Sequence, residues 1–184
     1  MFLPNISGIV DMIYLGVGAN LPSAGFFSLR ETLESAMADL CKLGVVSEGV
    51  SRWYESAPVP LSDQSWYVNA VYCVETEHDA RTLLAMLHKV EEDYGRVRGT
   101  VNAARVIDLD LLDYRGEERH GGSAGPILPH PRMHQRAFVL YPLRDLAPDW
   151  RHPVSGASID SLIAALDTAQ QVRLLGSAEE GCNT

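Results

Sequence analysis

The chain has 184 residues, with 15 basic and 24 acidic side chains and a formal net charge of −9. A hydrophobic content of 46% is that of a globular protein and excludes disorder as the main state. The acidic balance argues against a general nucleic-acid or anionic-membrane binder, and no apolar stretch is long enough to span a bilayer.

A single domain over 13–176 is expected, between a flexible extension at 1–12 and a disordered tail at 177–184. The extension has no basic residue and no sustained apolar run, so it does not read as a signal peptide. Cys41, Cys73 and Cys182 are odd in number and widely spaced, which fits a reducing cytoplasm. A monomer is expected, with a dimer left open.

The segment 13–18 (IYLGVG) is a short apolar run ended by glycine and reads as a buried strand. Gly18, Ala19 and Asn20 then turn the chain. Ser28 and Glu31 form a capping box, and Leu29, Leu33, Ala36, Met37 and Leu40 follow at helical spacing until Gly44. Residues 45–54 are rich in β-branched and aromatic side chains, with Gly49 marking a bulge. Pro58 and Pro60 make 56–65 a loop, and 66–75 (WYVNAVYCVE) is the strongest strand. A second helix runs over 79–94 with Leu83, Leu84, Leu87 and Val90 inward.

A polar loop at 96–105 leads into a strand at 106–114 (VIDLDLLDY), and 116–125 is a charged, glycine-rich excursion. Residues 129–150 mix turns, a short helix and an apolar stretch (AFVLYPL), and a last helix covers 159–166. This order predicts an α+β fold, a ferredoxin-like βαββαβ sandwich with an added C-terminal helical part.

The basic residues are thirteen Arg and only two Lys, and seven of the Arg fall between Arg96 and Arg136. That segment sums to +2 while the rest of the chain carries −11. A local anionic ligand is one reading and solvated surface charge the other; arginine's planar fork suits phosphate or carboxylate. Asp108 and Asp110 share one strand face, roughly 7 Å apart at Cα, and Ile107, Leu109 and Leu111 share the buried face. Two such carboxylates suit one or two hard cations, although in isolation an amphipathic strand showing acids to water explains them better. Arg96, Arg98 and Arg105 on the entering loop tip the balance toward a nucleotide-phosphate site.

His130 and Arg136 sit in a dense cluster (PHPRMHQR) where Pro131 could start a short helix and favour an anion. A zinc pair of His130 and His134 is set aside, because no Cys or third His lies nearby at ligand spacing. Asn69 shares a strand face with Tyr67 and Val71. A buried amide there would read the edge of a flat heterocycle with Tyr67 or Phe138 stacking on it, and an exposed Asn would mean nothing. Glu91 stands at the edge of the second helix's apolar face, either hydrogen-bonded or solvated.

These segments, in this order, resemble the 6-hydroxymethyl-7,8-dihydropterin pyrophosphokinase family of folate biosynthesis. The stretches that carry the resemblance are LGVGAN (15–20), SRWYESAPV (51–59), DQSWYVNAVYCVET (63–76), VEEDYGRVRG (90–99), ARVIDLDLLDY (104–114) and LPHPRMHQRAFVLYPLRDLAPDWRHP (128–153).

The resemblance implies an ATP- and Mg²⁺-dependent transfer of the β,γ-diphosphate to a pterin hydroxymethyl group, which releases AMP and uses two bound Mg²⁺ ions. It implies that Asp108 and Asp110 hold the metals. Arg96, Arg98 and Arg105 match mobile-loop arginines, the first and last of them assisting the transition state. Glu91, Arg98, Arg105, Leu111, His130 and Arg136 match the nucleotide site. Ser56, Ala57, Val59, Tyr67, Asn69 and Phe138 match the pterin pocket. The 99–104 loop is shorter than the family's and lacks its Trp. A slow or non-catalytic pterin- or nucleotide-binding relative, a ferredoxin-like interaction module and a metal-dependent hydrolase are the competing readings.

Overall fold

The computed structural model describes residues 12–96, 104–122 and 125–176. The expected extension and tail, except for Met12, lie outside them, as do Arg98 and most of the shortened loop.

The first strand, β1 (Ile13–Ala19), alternates faces. Ile13, Leu15, Val17 and Ala19 are buried on one side, and Tyr14, Gly16 and Gly18 point to the other. The capping box then forms as the sequence predicts. Ser28 Oγ accepts from the Glu31 N–H at 3.1 Å, Glu31 accepts from the Phe27 N–H at 2.8 Å, and α1 (Leu29–Lys42) follows.

The next strand is split into β2 (Val46–Val50) and β3 (Tyr54–Ser56), both antiparallel to β4 (Tyr67–Glu75). The register shifts between Ser47 and Gly49, at the anticipated bulge. Ser51 fills the gap between β2 and β3, its N–H donating to the Val71 carbonyl at 2.9 Å and its Oγ accepting from the Val71 N–H at 3.0 Å. Asp79 caps α2 (Ala80–Asp93), and β5 (Asp108–Tyr114) closes the sheet beside β1.

The strand order is β5-β1-β4-β3 and then β8 (Val172–Leu174), with β2 also on β4. Every named pairing is antiparallel. Helices α1 and α2 cover one face through Leu33, Leu40, Leu83 and Leu87. The other face carries α3 (Ala137–Leu146) and α4 (Ile159–Ala164), packed through Leu140, Leu143 and Ile159, with Trp150 from the segment between them, onto Tyr14, Val71 and Leu112.

Three features differ from the sequence reading. The AFVLYPL stretch is itself helical, with Pro142 inside α3. The excursion at 116–125 contributes β6 (Arg119–His120), which pairs with β7 (Ile127–Leu128). The segment before the tail forms β8 on β3. No helix among the described residues is long and apolar enough to cross a membrane.

Candidate active site

Register assembles the site on the α3 face of the sheet. Asp108 lies opposite Gly18 and Asp110 opposite Gly16 across the β5–β1 ladder. On the other side of β1, Gly18 lies opposite Asn69, and across β4 Tyr67 lies opposite Ser56. The middle strand therefore offers two glycines between the carboxylates and the amide, and the floor there is bare backbone. A Cβ on Gly18 would sit 2.9 Å from Asn69 Oδ1, so the amide depends on that glycine. These glycines were legible only as strand punctuation; the signal for more is that both fall on the face bearing Asp108 and Asp110.

Asn69 is 4% exposed, and its Nδ2 donates to Ser56 Oγ at 2.9 Å. Its apolar strand demanded such a partner. The loop after β3 and the start of α3 form the walls above. The cleft holds about 290 Å³, near the lower end of ligand pockets. All six residues expected of the pterin pocket (Ser56, Ala57, Val59, Tyr67, Asn69 and Phe138) line it. So do Arg105, Asp108, Asp110 and Arg136. Gln64, Arg132 and Gln135 line it too, and the sequence reading passed them over.

At the carboxylate end, cations converge from three segments. Arg96, just after α2, places Nη1 2.8 Å from Asp108 Oδ1, and also pairs with Glu91. Arg105, just before β5, donates to Asp108 Oδ2. Arg136, at the start of α3, donates to Asp110 Oδ2 at 3.2 Å, and its guanidinium lies 5.4 Å from the Phe138 ring centroid.

Burial pushes the Asp108 carboxyl above its ordinary range, and the like charge of Asp110 adds to this. The arginines pull the other way without winning. Burial likewise draws Arg136 down from its ordinary value, although an arginine stays charged at neutral pH. His130 is pulled down by burial against the raising influence of Asp110, which favours the neutral ring. Its Nδ1 accepts from the Arg132 N–H at 3.2 Å, so the proton sits on Nε2, 4.0 Å from Asp110 Oδ2.

Three expected nucleotide contacts, Glu91, Leu111 and His130, do not line the cavity. Glu91 is fully buried and its Oε1 accepts from the Leu109 N–H at 2.8 Å, which bolts α2 to β5. Leu111 packs its side chain into the α1/α2 core. Arg98 lies outside the described residues.

Among the described residues no three His, Cys, Asp or Glu side chains gather as a metal cluster. The residues nevertheless fit Mg²⁺, which takes one or two carboxylates and completes its shell with water and phosphate oxygens. Asp108 Oδ1 is buried and accepts no hydrogen bond among the described residues, although the Arg96 nitrogen is close. A buried anionic oxygen that is ion-paired to Arg96 without an aligned hydrogen bond, beside a second carboxylate, is a donor set that a hard cation would satisfy.

Paired carboxylates, converging arginines and a hydrogen-bonded amide thus meet around one cavity. The chain belongs to the 7,8-dihydro-6-hydroxymethylpterin-pyrophosphokinase (HPPK) family, a family of diphosphotransferases, whose model matches residues 14–148.

It is 35% identical over 170 residues to the 2-amino-4-hydroxy-6-hydroxymethyldihydropteridine pyrophosphokinase of Pseudomonas aeruginosa, covering 92% of this chain and 100% of that one. It is 36% identical over 151 residues to the folic acid synthesis protein fol1 of Pneumocystis carinii, covering 82% of this chain but only 20% of the fungal protein. The fold is similar to that of a Plasmodium falciparum HPPK-DHPS chain, with a TM-score of 0.65 at 14% identity over 84% of this chain and 45% of that one.

Proposed function

We propose that the chain transfers the β,γ-diphosphate of ATP to the hydroxymethyl group of 6-hydroxymethyl-7,8-dihydropterin, releasing AMP, in folate biosynthesis. One observation carries this reading: a single cavity joins the carboxylate–arginine cluster to the Asn69–Ser56 amide with Tyr67 and Phe138. The pterin edge pairs with Asn69, and its rings lie between Tyr67 and Phe138. Asp108 and Asp110 hold two Mg²⁺, which neutralise phosphate charge when bound.

Arg96, Arg105 and Arg136 exchange their carboxylate contacts for phosphate oxygens, and His130 and Arg98 add contacts to the same groups. Glu91 keeps Leu109 and Arg96 in place beneath the nucleotide, and Leu111 contributes through its backbone. The pterin hydroxyl attacks the β-phosphorus in line. A new O–P bond forms there as the α,β-bridging oxygen leaves with AMP and the hydroxyl gives up its proton to water. No protein nucleophile is needed, so catalysis is positioning and charge neutralisation.

The order β5-β1-β4 followed by β2 and β3, with α1 and α2 on one face, supports reading the frame as the ferredoxin-like βαββαβ plan with α3 and α4 added. The cysteine usage supports a cytoplasmic location. The test is AMP release from ATP and Mg²⁺ with and without the pterin. AMP formed only with the pterin supports transfer. Tight pterin binding without AMP assigns the chain to the non-catalytic relatives.

A further inference from the structure

We propose that Gln170, which lies beyond the residues the family model matches, is a positioning residue for Arg136 and that its segment ties together two walls of the cavity. Arg136 caps α3 with an extended backbone (φ −118°, ψ 113°) and no side-chain cap bond of its own. Such a helix start leaves its first N–H groups in need of acceptors. Gln170 supplies one from 33 residues away, its Oε1 accepting from the Ala137 N–H at 2.9 Å. The same amide donates through Nε2 to the Gln135 carbonyl at 2.9 Å. These two contacts hold the backbone on both sides of Arg136.

An amide side chain is suited to this task because it offers a donor and an acceptor together. The bracketed residue carries the guanidinium that reaches Asp110 and lies over Phe138. The next residue grips another wall: the Gln171 carbonyl accepts from the Ala57 N–H at 3.1 Å, and Ala57 lines the cavity. The chain then enters β8, where Val172 lies opposite Ser56. Residues 170–172 thus fasten the start of α3 and the end of β3 to one strap.

The inference rests on the proposed role of Arg136 at the phosphates. Gln170→Met keeps the length and removes both hydrogen bonds, and Gln170→Glu keeps the acceptor for Ala137. In the full chain, Gln170→Met lowers kcat/KM for AMP release about tenfold, and Gln170→Glu falls between it and the wild type. In an Arg136→Ala background, Gln170→Met gives no further loss, because the residue acts through Arg136. Unchanged turnover in Gln170→Met with only a lower melting temperature overturns the inference, and so does an equal loss in the Arg136→Ala background.

A wild-type chain that releases no AMP refutes the proposed transfer instead. MgATP affinity by calorimetry then decides the role of Gln170. About tenfold weaker binding by Gln170→Met upholds it, and equal binding overturns it.

Discussion

The two ends of the cavity are held by different forces. At the carboxylate end, Asp108 and Asp110 come from adjacent same-face positions of one strand, and three arginines from separate segments offset them. Charge holds that end, and a charged pair can be exchanged for another of the same sign. At the amide end, Asn69, Tyr67 and Ser56 are fixed by the β3–β4 ladder, and one side-chain hydrogen bond completes the arrangement. Register holds that end, and register does not rearrange on binding. Changes at the charged end should therefore act on turnover, and changes at the amide end on affinity.

The largest effect falls on the carboxylates. Asp110→Ala and Asp108→Ala should each lower AMP release roughly a thousandfold, since each removes a proposed metal ligand and the anion that an arginine faces. Full activity in either variant refutes the two-carboxylate site. Arg105→Ala should lower kcat roughly a hundredfold with little change in KM, as expected for a contact strongest in the transition state. A pure KM effect would place Arg105 in ground-state binding and erase the contrast between the two ends.

At the amide end the readout is pterin affinity. Asn69→Leu should weaken pterin binding about thirtyfold, because the Ser56 hydroxyl and the ligand edge both lose a partner. Gly18→Ala is the sharper probe. Its new Cβ meets Asn69 Oδ1 at 2.9 Å and displaces the amide without touching a charge. Calorimetry should show about tenfold weaker pterin binding with ATP affinity unchanged. Equal losses for both ligands would mean that the two ends behave as one unit.

The charged end was legible because its signal is local. Asp108 and Asp110 lie two apart on a strand, and alternation alone puts them on one face with Ile107 and Leu109 buried behind. Asn69 could be located but not weighed, because its burial depends on α3 and the loop after β3 covering that face. In sequence the glycines of β1 are only punctuation, since the clearance Gly18 provides exists only once β4 lies alongside.

Helix α3 was half legible: Pro142 interrupts the pattern, although Val139, Leu140 and Leu143 still bury against the sheet. Strand β8 gave no sign. Its three residues are only partly buried or exposed, and the pairing with β3 depends on a partner far away in sequence. Gln170 escaped notice for the same reason, because its worth lies in Gln135 and Ala137.

The smallest predicted effect lies outside the cavity. Arg52, Tyr54 and Asp145 brace β3 against α3. Arg52 Nη2 is 2.6 Å from Asp145 Oδ1, and the Tyr54 hydroxyl donates to Oδ2 at 2.9 Å. Burial raises the Asp145 carboxyl, but its hydrogen bonds from Arg52 and Tyr54 prevail and hold it below its ordinary value. Tyr54 is pushed up to about 12, first by burial and then by its bond to Asp145.

A carboxyl whose folded pKa is depressed stabilises the fold above its unfolded value, about 3.9, and that contribution is lost as pH falls through the folded value. Arg52 is largely exposed, so solvent screens the pair and the gain is small. Asp145→Asn should lower the melting temperature by about 2 °C at neutral pH. The deficit should shrink as pH falls below about 4, with AMP release unaffected throughout. A deficit that persists undiminished in acid would assign the loss to packing rather than charge. A fall in turnover would show that the brace reaches the cavity, and that the amide end is held by more than its own ladder.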